Sequence, residues 1–434
     1  MKKTLRYNYR LNPTPEQEVK LIEFGAIARG IWDLLLSENM RRYEYDKTFL
    51  FYKDMASLLK EIKPFEEFSW IKAFDSAAAQ QVARDLETAM KNAFSKGRLQ
   101  HFPKHKVSYK RKRLHNDSFR AVNNSNCIRI ENDAISIPKV GKVPIVLHRE
   151  LVSKIKTVTV QYRHGKWECS ITQEVECKTA KQVLETITGF DINSKQTVVG
   201  SNGFVADNPK FLKQSKEKLN QLQRQLARRT KGSNRWQKTK QRINKLHGKI
   251  SRQRLDFAHK TSRQITNEND ILVFEDLNVK AMQKFNGSMV ADNVMGLITQ
   301  LSKYKAELEG KLYHEIGRFE KSTGICSECG QRHVLTLNDR RFTCTACGAY
   351  QSRDLAAAKS IASTGELDII AAGIVARVTP ASQQKQSVKT KVFELSKLDF
   401  GSEKKSCLAV KLDCRSPVIR MNRCCWVVHH RHTL

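Results

Sequence analysis

The chain has 434 residues, with 77 Lys and Arg against 44 Asp and Glu, a formal net charge of +33. A surplus that large repels itself unless a polyanion neutralises it. Nucleic acid fits better than a basic surface kept for solubility or a membrane-surface protein, because the charge runs along most of the length with no amphipathic anchor at either end. No stretch approaches the ~18 consecutive apolar residues of a membrane span. The opening MKKTLRYNYRL lacks the apolar run of a signal peptide, so a soluble intracellular protein is expected. Of the 11 cysteines, four are paired in CxxC units, which in a reducing compartment reads as metal binding.

In chain order, Thr4–Leu11 alternates as a strand. PTPEQ then starts a helix, with Thr14 as N-cap, Pro15 in the first turn and Gln17 closing a capping box. Residues from about 15 to 97 read as helical, with Leu21, Phe24, Ile31, Leu34 and Leu35 on a core face. The aromatics Tyr43, Tyr45, Phe49, Phe51 and Tyr52 suit base stacking or helix core, and core is preferred. From His101 to Glu176, short β-like runs (Cys127–Ile130, Ala134–Pro138, Val143–His148, Thr157–Tyr162, Trp167–Gln173) predict an antiparallel barrel or sandwich. It opens on Lys106, Lys110, Arg111, Lys112 and Arg113, a run of cations suited to phosphate contact.

A second module begins near Ile187. Gly189–Ile192 precedes a hairpin, QTVVGSNGFVAD, whose Asn202–Gly203 predicts a type I′ turn. Asn208 to Arg263 reads as a helical pair broken at Gly232–Ser233, with Leu219, Leu222, Leu226, Ile243, Leu246 and Ile250 on one apolar face. The pair carries 18 Lys and Arg against only Glu217 and Asp256. It is therefore expected to lie along a phosphate backbone, through cations such as Arg224, Arg228, Arg229, Lys231 and Arg235. Ile271–Phe274 is a compact apolar strand ending in Glu275 and Asp276, Tyr313–Phe319 is a further strand, and a helix opens at Ser352. Beyond about Leu367 periodicity is lost, and the basic tail is expected to be poorly ordered; its Cys424, Cys425, His429 and His430 are too irregularly spaced to predict a metal site.

Cys326-x2-Cys329 and Cys344-x2-Cys347 stand fourteen residues apart, and Gly330 and Gly348 let the backbone turn tightly after each pair. Four thiolates on two such turns suit a tetrahedral, structural Zn²⁺ at ~2.3 Å better than a redox CxxC, and no fifth ligand is evident.

Asp191 ends the strand ITGFD, Glu275 ends DILVFE, and Asp354 lies in the first turn of SRDLAAAKSI, with Ser352 as the expected cap. Each alone is ordinary, since acids end strands and the helix dipole favours them at an N-terminus. Glu275 and Asp276 should point to opposite faces, so only one can join a common site. Together Asp191, Glu275 and Asp354 suit an RNase H-like arrangement, in which carboxylates from two strands and a helix meet around Mg²⁺, or Mn²⁺ in its place, for two-metal phosphodiester hydrolysis.

These motifs resemble those of the TnpB family, OrfB-type nucleases with a zinc ribbon that are encoded by insertion sequences and are similar to miniature type V CRISPR effectors. The resemblance runs from about Tyr7 to Ile361. It rests on LNPTPEQ, GFDIN, GSNRWQKTKQRINKLHGKISRQRLDFAHK, VFEDLNVKAM, YKAELEGK, CSECG with CTACG, and RDLAAAKSI, in that order. It implies catalysis by Asp191, Glu275 and Asp354 and zinc binding by Cys326, Cys329, Cys344 and Cys347. It also implies a guide RNA from the transposon end, and cutting of double-stranded target DNA beside a short target-adjacent motif.

The expected fold is α+β and multidomain. A β-barrel wedge-like domain comprises 1–14 and 98–180, and a helical recognition domain comprises 15–97. A RuvC-type, RNase H-like α/β nuclease domain follows at 185–323 and 350–366, with a zinc ribbon inserted at 324–349 and a tail at 367–434. A cytoplasmic, nucleoid-associated prokaryotic monomer is expected. The sequence departs from the family where Ser352 replaces an acid, Ala356 an Asn and Asn193 a Gly, and loss of the Asn would loosen the support of Asp354. The alternatives are a nuclease-deficient RNA-guided repressor and, behind it, a transposase that joins strands itself.

Overall fold

The computed structural model describes residues 2–94, 109, 118–179, 183–193, 196–278, 281–282, 294–318, 320, 322–336, 339–373, 375–380 and 391–395. The expected phosphate contacts Lys110, Arg111, Lys112 and Arg113 lie outside these residues, as do Cys424, Cys425, His429 and His430.

The chain begins with β1 (Lys2–Leu11). Thr14 then caps α1 (Pro15–Asp46): its hydroxyl accepts from the Gln17 N–H while the Gln17 side chain accepts from the Thr14 N–H, so the predicted capping box satisfies amides the helix itself cannot. Buried Asn39 fixes the turn into α2 (Tyr52–Ile62), donating to the Leu35 carbonyl at 2.9 Å and accepting from the Leu50 N–H at 2.8 Å. After α3 (Ser76–Phe94) come β2 (Ser118–Val122), β3 (Ile130–Glu131), β4 (Ala134–Ile137), β5 (Gly141–Val146), β6 (Ile155–Arg163) and β7 (Lys166–Glu176). They form an antiparallel sheet in the order β2-β6-β7-β1-β5-β4-β3, with the N-terminal strand between β7 and β5. Alternate strand residues meet the helices in one core, where the Phe24 ring stands edge-on to Phe74 and Phe119 with centroids 5.1 and 5.4 Å away.

Two expectations change in this half. Cys127–Ile130 is not a strand: the Asn123 side chain binds both the N–H and the carbonyl of Ile128, holding a loop until Ile130. The aromatic set divides, with Phe49 and Tyr52 packed against the core but Tyr45 89 % exposed and Phe51 at the surface.

The second half opens with β8 (Val183–Leu184), β9 (Ile187–Asp191), β10 (Gln196–Gly200) and β11 (Val205–Asp207). The helical hairpin α4 (Phe211–Ala227) and α5 (Asn234–Glu268) follows, broken around Gly232–Ser233 as predicted, with the Ser233 hydroxyl accepting from the Trp236 N–H. Next are β12 (Ile271–Glu275), α6 (Met295–Leu308), β13 (Leu312–Ile316), β14 (Arg341–Thr343), β15 (Tyr350–Ser352) and α7 (Arg353–Ala371). The sheet order is β11-β10-β9-β12-β13; β12 runs parallel to β9 and β13, while β10 is antiparallel to β9 and β11. This is RNase H-like topology. Period-two alternation divides its faces: Phe190, Leu272 and Phe274 pack under α5 and α6, while Ile271 and Val273 pack under Ile361 and Ile369 of α7.

The β10–β11 turn differs from expectation. Gly203 has φ 89 but Asn202 is not left-handed, so this is no type I′ turn. The Asn202 side chain accepts from the Phe204 N–H, and Gly200 pairs with Phe204 across a three-residue loop. The C-terminal limit also moves. Ile369 still meets the sheet, so α7 continues to Ala371, and β16 (Val375–Pro380) pairs with β17 (Lys391–Leu395), which also pairs with β8. These elements extend past the expected limit at 367. Among the described residues no helix is long and apolar enough to cross a membrane.

Candidate active site and four-cysteine cluster

The sheet and α7 bring the predicted acids to one end of the fold. Gly189 and Asp191 are two apart on β9 and face the same side, toward α7. A Cβ on Gly189 would collide with the backbone of α7 at Ala358 and would lie 2.9 Å from the Ala362 Cα. Only glycine permits that approach. Ala358 is one helical turn beyond Asp354, so the contact that seats Ala358 on Gly189 also carries Asp354 toward Asp191. A second close approach holds the far end of the helix, since a Cβ on Gly365 would stand 2.8 Å from Val273 Cγ2. On β12, Phe274 is in register with Phe190, which places Glu275 level with Asp191, and Glu275 shares its face with Val273.

Electrostatics register the convergence. The Asp191 carboxyl is pushed up to about 6, first by burial and then by the charges of Asp354 and Glu275, against a hydrogen bond that Asn193 Nδ2 donates at 3.2 Å and the charge of Arg353. Glu275 is also raised, mainly by burial and also by Asp276, while the Ser322 hydroxyl at 3.4 Å opposes the shift. The Asp276 carboxylate is itself engaged elsewhere: Arg318 Nη2 contacts both of its oxygens, at 2.7 and 3.0 Å. Of the two neighbours, Glu275 is the one on the face of the sheet that Asp191 shares. Asp354 is buried and paired with Arg353 at 3.1 Å and Arg340 at 3.6 Å. Ser352 stands at the N-cap but its side chain makes no cap bond, which corrects that expectation.

The cysteines are gathered more tightly. The Sγ atoms of Cys326, Cys329, Cys344 and Cys347 all lie within 4.8 Å of one another, with Cys326–Cys347 at 3.6 Å and Cys329–Cys344 at 3.5 Å. Among the described residues this is the one set of such side chains close enough to hold a single ion; the three carboxylates are not drawn that close. The backbone N–H of Cys347, aided by that of Ala346 and opposed by burial, lowers the Cys344 thiol to about 5. Gln351 Nε2 donates to Cys326 Sγ at 2.9 Å, and His333 Nε2 lies 3.4 Å from Cys344 Sγ. His333 is thus a neighbour of the cluster that spacing did not suggest.

Of the cations expected on phosphate, Arg224, Arg228, Lys231 and Arg235 are exposed on the α4–α5 hairpin. Arg229 is half-buried, and its guanidinium is committed to the hairpin itself, donating to the Arg235 carbonyl at 2.6 Å and to the Thr239 hydroxyl. Arg353 was legible only as the neighbour of Asp354, and nothing local in the sequence marks Arg340 or Ser322.

An RNase H-like sheet with acids from two strands and a helix, and a four-cysteine hairpin leading into that helix, defines the class: RNase H-like proteins that carry a zinc-ribbon-like insertion. Comparison with known proteins specifies it further. The family model described as "Probable transposase" (OrfB of IS605) matches residues 170–286, "Cas12f1-like, TNB domain" matches 296–361, and a "Helix-turn-helix domain" of the same OrfB group matches 1–48. That last stretch is a strand followed by one continuous helix. The chain is 33% identical over 284 residues to the "Putative RNA-guided DNA endonuclease InsQ" of Escherichia coli (strain K12), covering 65% of this chain and 69% of the relative. A "Putative RNA-guided DNA endonuclease" of Streptomyces pristinaespiralis is 29% identical over 367 residues, 83% of this chain and 89% of the relative. The Cas12f1 chain of a Cas12f1–sgRNA–target DNA complex superposes with a TM-score of 0.53 at 11% identity, covering 83% of this chain and 98% of that one, which is a likeness of fold. The chain belongs to the TnpB (OrfB) family.

Proposed function

We propose that this protein is an RNA-guided DNA endonuclease that hydrolyses phosphodiesters of guide-matched DNA beside a short target-adjacent motif. The observation that carries the reading is the meeting of Asp191, Glu275 and Asp354 at one end of the RNase H-like sheet, in a chain whose relatives are named RNA-guided DNA endonucleases. Hard carboxylate oxygens suit Mg²⁺, or Mn²⁺ in its place. Divalent ions bound there would activate water and stabilise the leaving oxygen. Asn193 and Ser322 orient Asp191 and Glu275 through their hydrogen bonds. The 3.5–3.6 Å sulfur pairs are close to the edge of a thiolate tetrahedron around Zn²⁺ at ~2.3 Å, which supports a structural zinc held by the four cysteines.

The guide is an RNA from the transposon end. Exposed Arg224, Arg228, Lys231 and Arg235 contact phosphates, together with Lys110, Arg111, Lys112 and Arg113. In this reading residues 1–14 with 98–180 and residues 15–97 form the β and helical modules that hold the RNA–DNA hybrid, and the protein acts as a cytoplasmic monomer.

The test is to express the protein with its flanking genomic DNA, sequence the copurifying RNA, and challenge the complex with Mg²⁺ and plasmids carrying a guide-matched site beside randomised sequence. Cleavage beside one short motif is expected, and Asp191→Ala should abolish cutting while retaining the RNA. Wild-type cutting by Asp191→Ala, or the absence of any defined RNA, would sink the reading. Motif-specific retention without cleavage would favour the guided repressor instead.

A further inference from the structure

Asp354 is 7 % exposed, and both of its carboxylate oxygens face guanidinium groups. Arg353 Nε and Nη2 donate to Oδ1 at 3.2 and 3.1 Å, and Arg340 Nη1 stands 3.6 Å from Oδ2. The cysteine hairpin delivers both cations. Arg340 immediately precedes β14 and Arg353 immediately follows β15, and the Arg353 N–H donates to the Arg340 carbonyl at 2.9 Å. Arg353 Nη1 also donates to the Thr336 carbonyl, at 3.1 Å, in the segment between the cysteine pairs. At its other end the hairpin is closed by Cys344 and Cys347, and Cys326, Phe342 and Cys344 pack on Ala356, two residues beyond Asp354. The position where the family carries Asn is thus an apolar seat for the hairpin.

The two arginines are held unequally. Arg353 is 8 % exposed and tied to Asp354 and Thr336. Arg340 is about a third exposed, and its Nε is buried with no hydrogen-bond partner among the described residues. A buried N–H left unmade costs free energy, so Arg340 is the less secured of the pair.

We propose that Arg340 and Arg353 form a latch on Asp354, so that divalent-ion binding at the acid site competes with an arginine carried by the cysteine hairpin. A carboxylate whose lone pairs already face guanidinium groups offers a dication less, and each nearby cation repels it. Arg353 is the fixed half. Arg340 is the half that yields, turning from Asp354 Oδ2 to a phosphate of arriving nucleic acid, a partner that suits its planar fork equally well. Substrate arrival and ion binding would then reinforce each other, and Arg340 acts as a positioning residue, working through Asp354. The inference rests on the reading of Asp191, Glu275 and Asp354 as a divalent-ion site.

The test reads the ion rather than the reaction. Mn²⁺ is titrated into the full-length protein and followed by loss of the free-ion paramagnetic resonance signal, with Asp191→Ala identifying which binding belongs to the acid site and metal analysis recording zinc per chain. In Arg340→Gln, the Asp191-dependent Mn²⁺ affinity should tighten about two- to fivefold, the size expected for removing one partly exposed cation from beside a carboxylate. The charge-conserving Arg340→Lys should stay near wild type. A merely structural role for Arg340 would leave Mn²⁺ binding unchanged or weaken it, and either result with zinc content intact overturns the latch while the acid site stands. No Asp191-dependent Mn²⁺ binding in the wild-type protein would remove the acid-site reading and the latch with it.

Discussion

The four cysteines and the three carboxylates are assembled by opposite means. Each cysteine pair sits on its own tight turn, with the Gly330 and Gly348 N–H groups donating back to the carbonyls of Cys326 and Cys344, and the second pair closes the two-stranded β14–β15 hairpin. That geometry is set mainly within the turns themselves, with Gln351 and Ala356 packed beside them. The carboxylates come from β9, β12 and α7, and they meet only if β12 takes the correct parallel register on β9 and α7 presses onto Gly189. A local site states its geometry in its spacing. A site built across the fold inherits every packing decision on the way, and its parts can fail without disturbing the cysteines. The two are nonetheless joined, because the cysteine hairpin runs directly into the helix that bears Asp354.

The largest effect should separate two neighbours on one strand. Glu275→Gln should lower guided cleavage by about a thousandfold, since it removes a charge from the site without changing its shape. Asp276→Asn should stay within about threefold, because Asp276 is engaged by Arg318 and lies outside the acid site. Cleavage rates on one matched plasmid compare them, and the reverse ranking would move the site to Asp276.

The next test breaks one assembly and spares the other. In Gly189→Ala the added methyl meets the backbone of α7, which cannot move aside as a side-chain tip can. We expect a loss of about 3 kcal/mol or more of stability by denaturant unfolding, and cleavage reduced with it. Zinc per chain should be unchanged, because the cysteine turns do not depend on that contact. Loss of zinc in this variant would show that the hairpin needs α7 seated before it can close.

The same division explains what could be read from the sequence. The cysteine cluster was legible to the residue, because CxxC spacing and the following glycines are themselves the geometry. The capping box at Thr14 and Gln17 and the break at Gly232–Ser233 were legible for the same local reason. The three acids were legible as strand-end and helix-start residues, and the fold that joins them was expected from that pattern together with the family resemblance; the strand order and register were not. What surrounds them was not. Arg340 reaches Asp354 only through the β14–β15 pairing, Ser322 reaches Glu275 across a loop, and His333 reaches Cys344 from between the cysteine pairs. The turn at Asn202–Gly203 misled because its dipeptide permits two loop lengths, and the Asn202 side chain, by capping Phe204, selects the longer. The C-terminal limit misled because α7 keeps Ile369 on the sheet after the motif ends.

The smallest predicted effect concerns the cost of bringing the acids together. Burial and the charges of Asp354 and Glu275 push Asp191 from 3.8 up to about 6 in the folded protein. An acid raised in this way binds its proton more tightly folded than unfolded. Its ionisation therefore costs nothing below the ordinary value, costs progressively more as the pH rises toward 6, and costs a constant amount above that. In buffer free of divalent ions, Asp191→Asn should accordingly melt about 2–6 °C above wild type at pH 7.5, with the gap narrowing below pH 6 and closing near pH 4. Added Mg²⁺ should raise the wild-type melting temperature and leave the Asn variant where it was, since the ion offsets the repulsion that the substitution has already removed. Thermal unfolding across that pH series, with and without Mg²⁺, makes the comparison. A variant less stable than wild type at every pH would mean that Asp191 is held by its hydrogen bonds rather than strained by its neighbours, and that the carboxylates are gathered at no electrostatic cost.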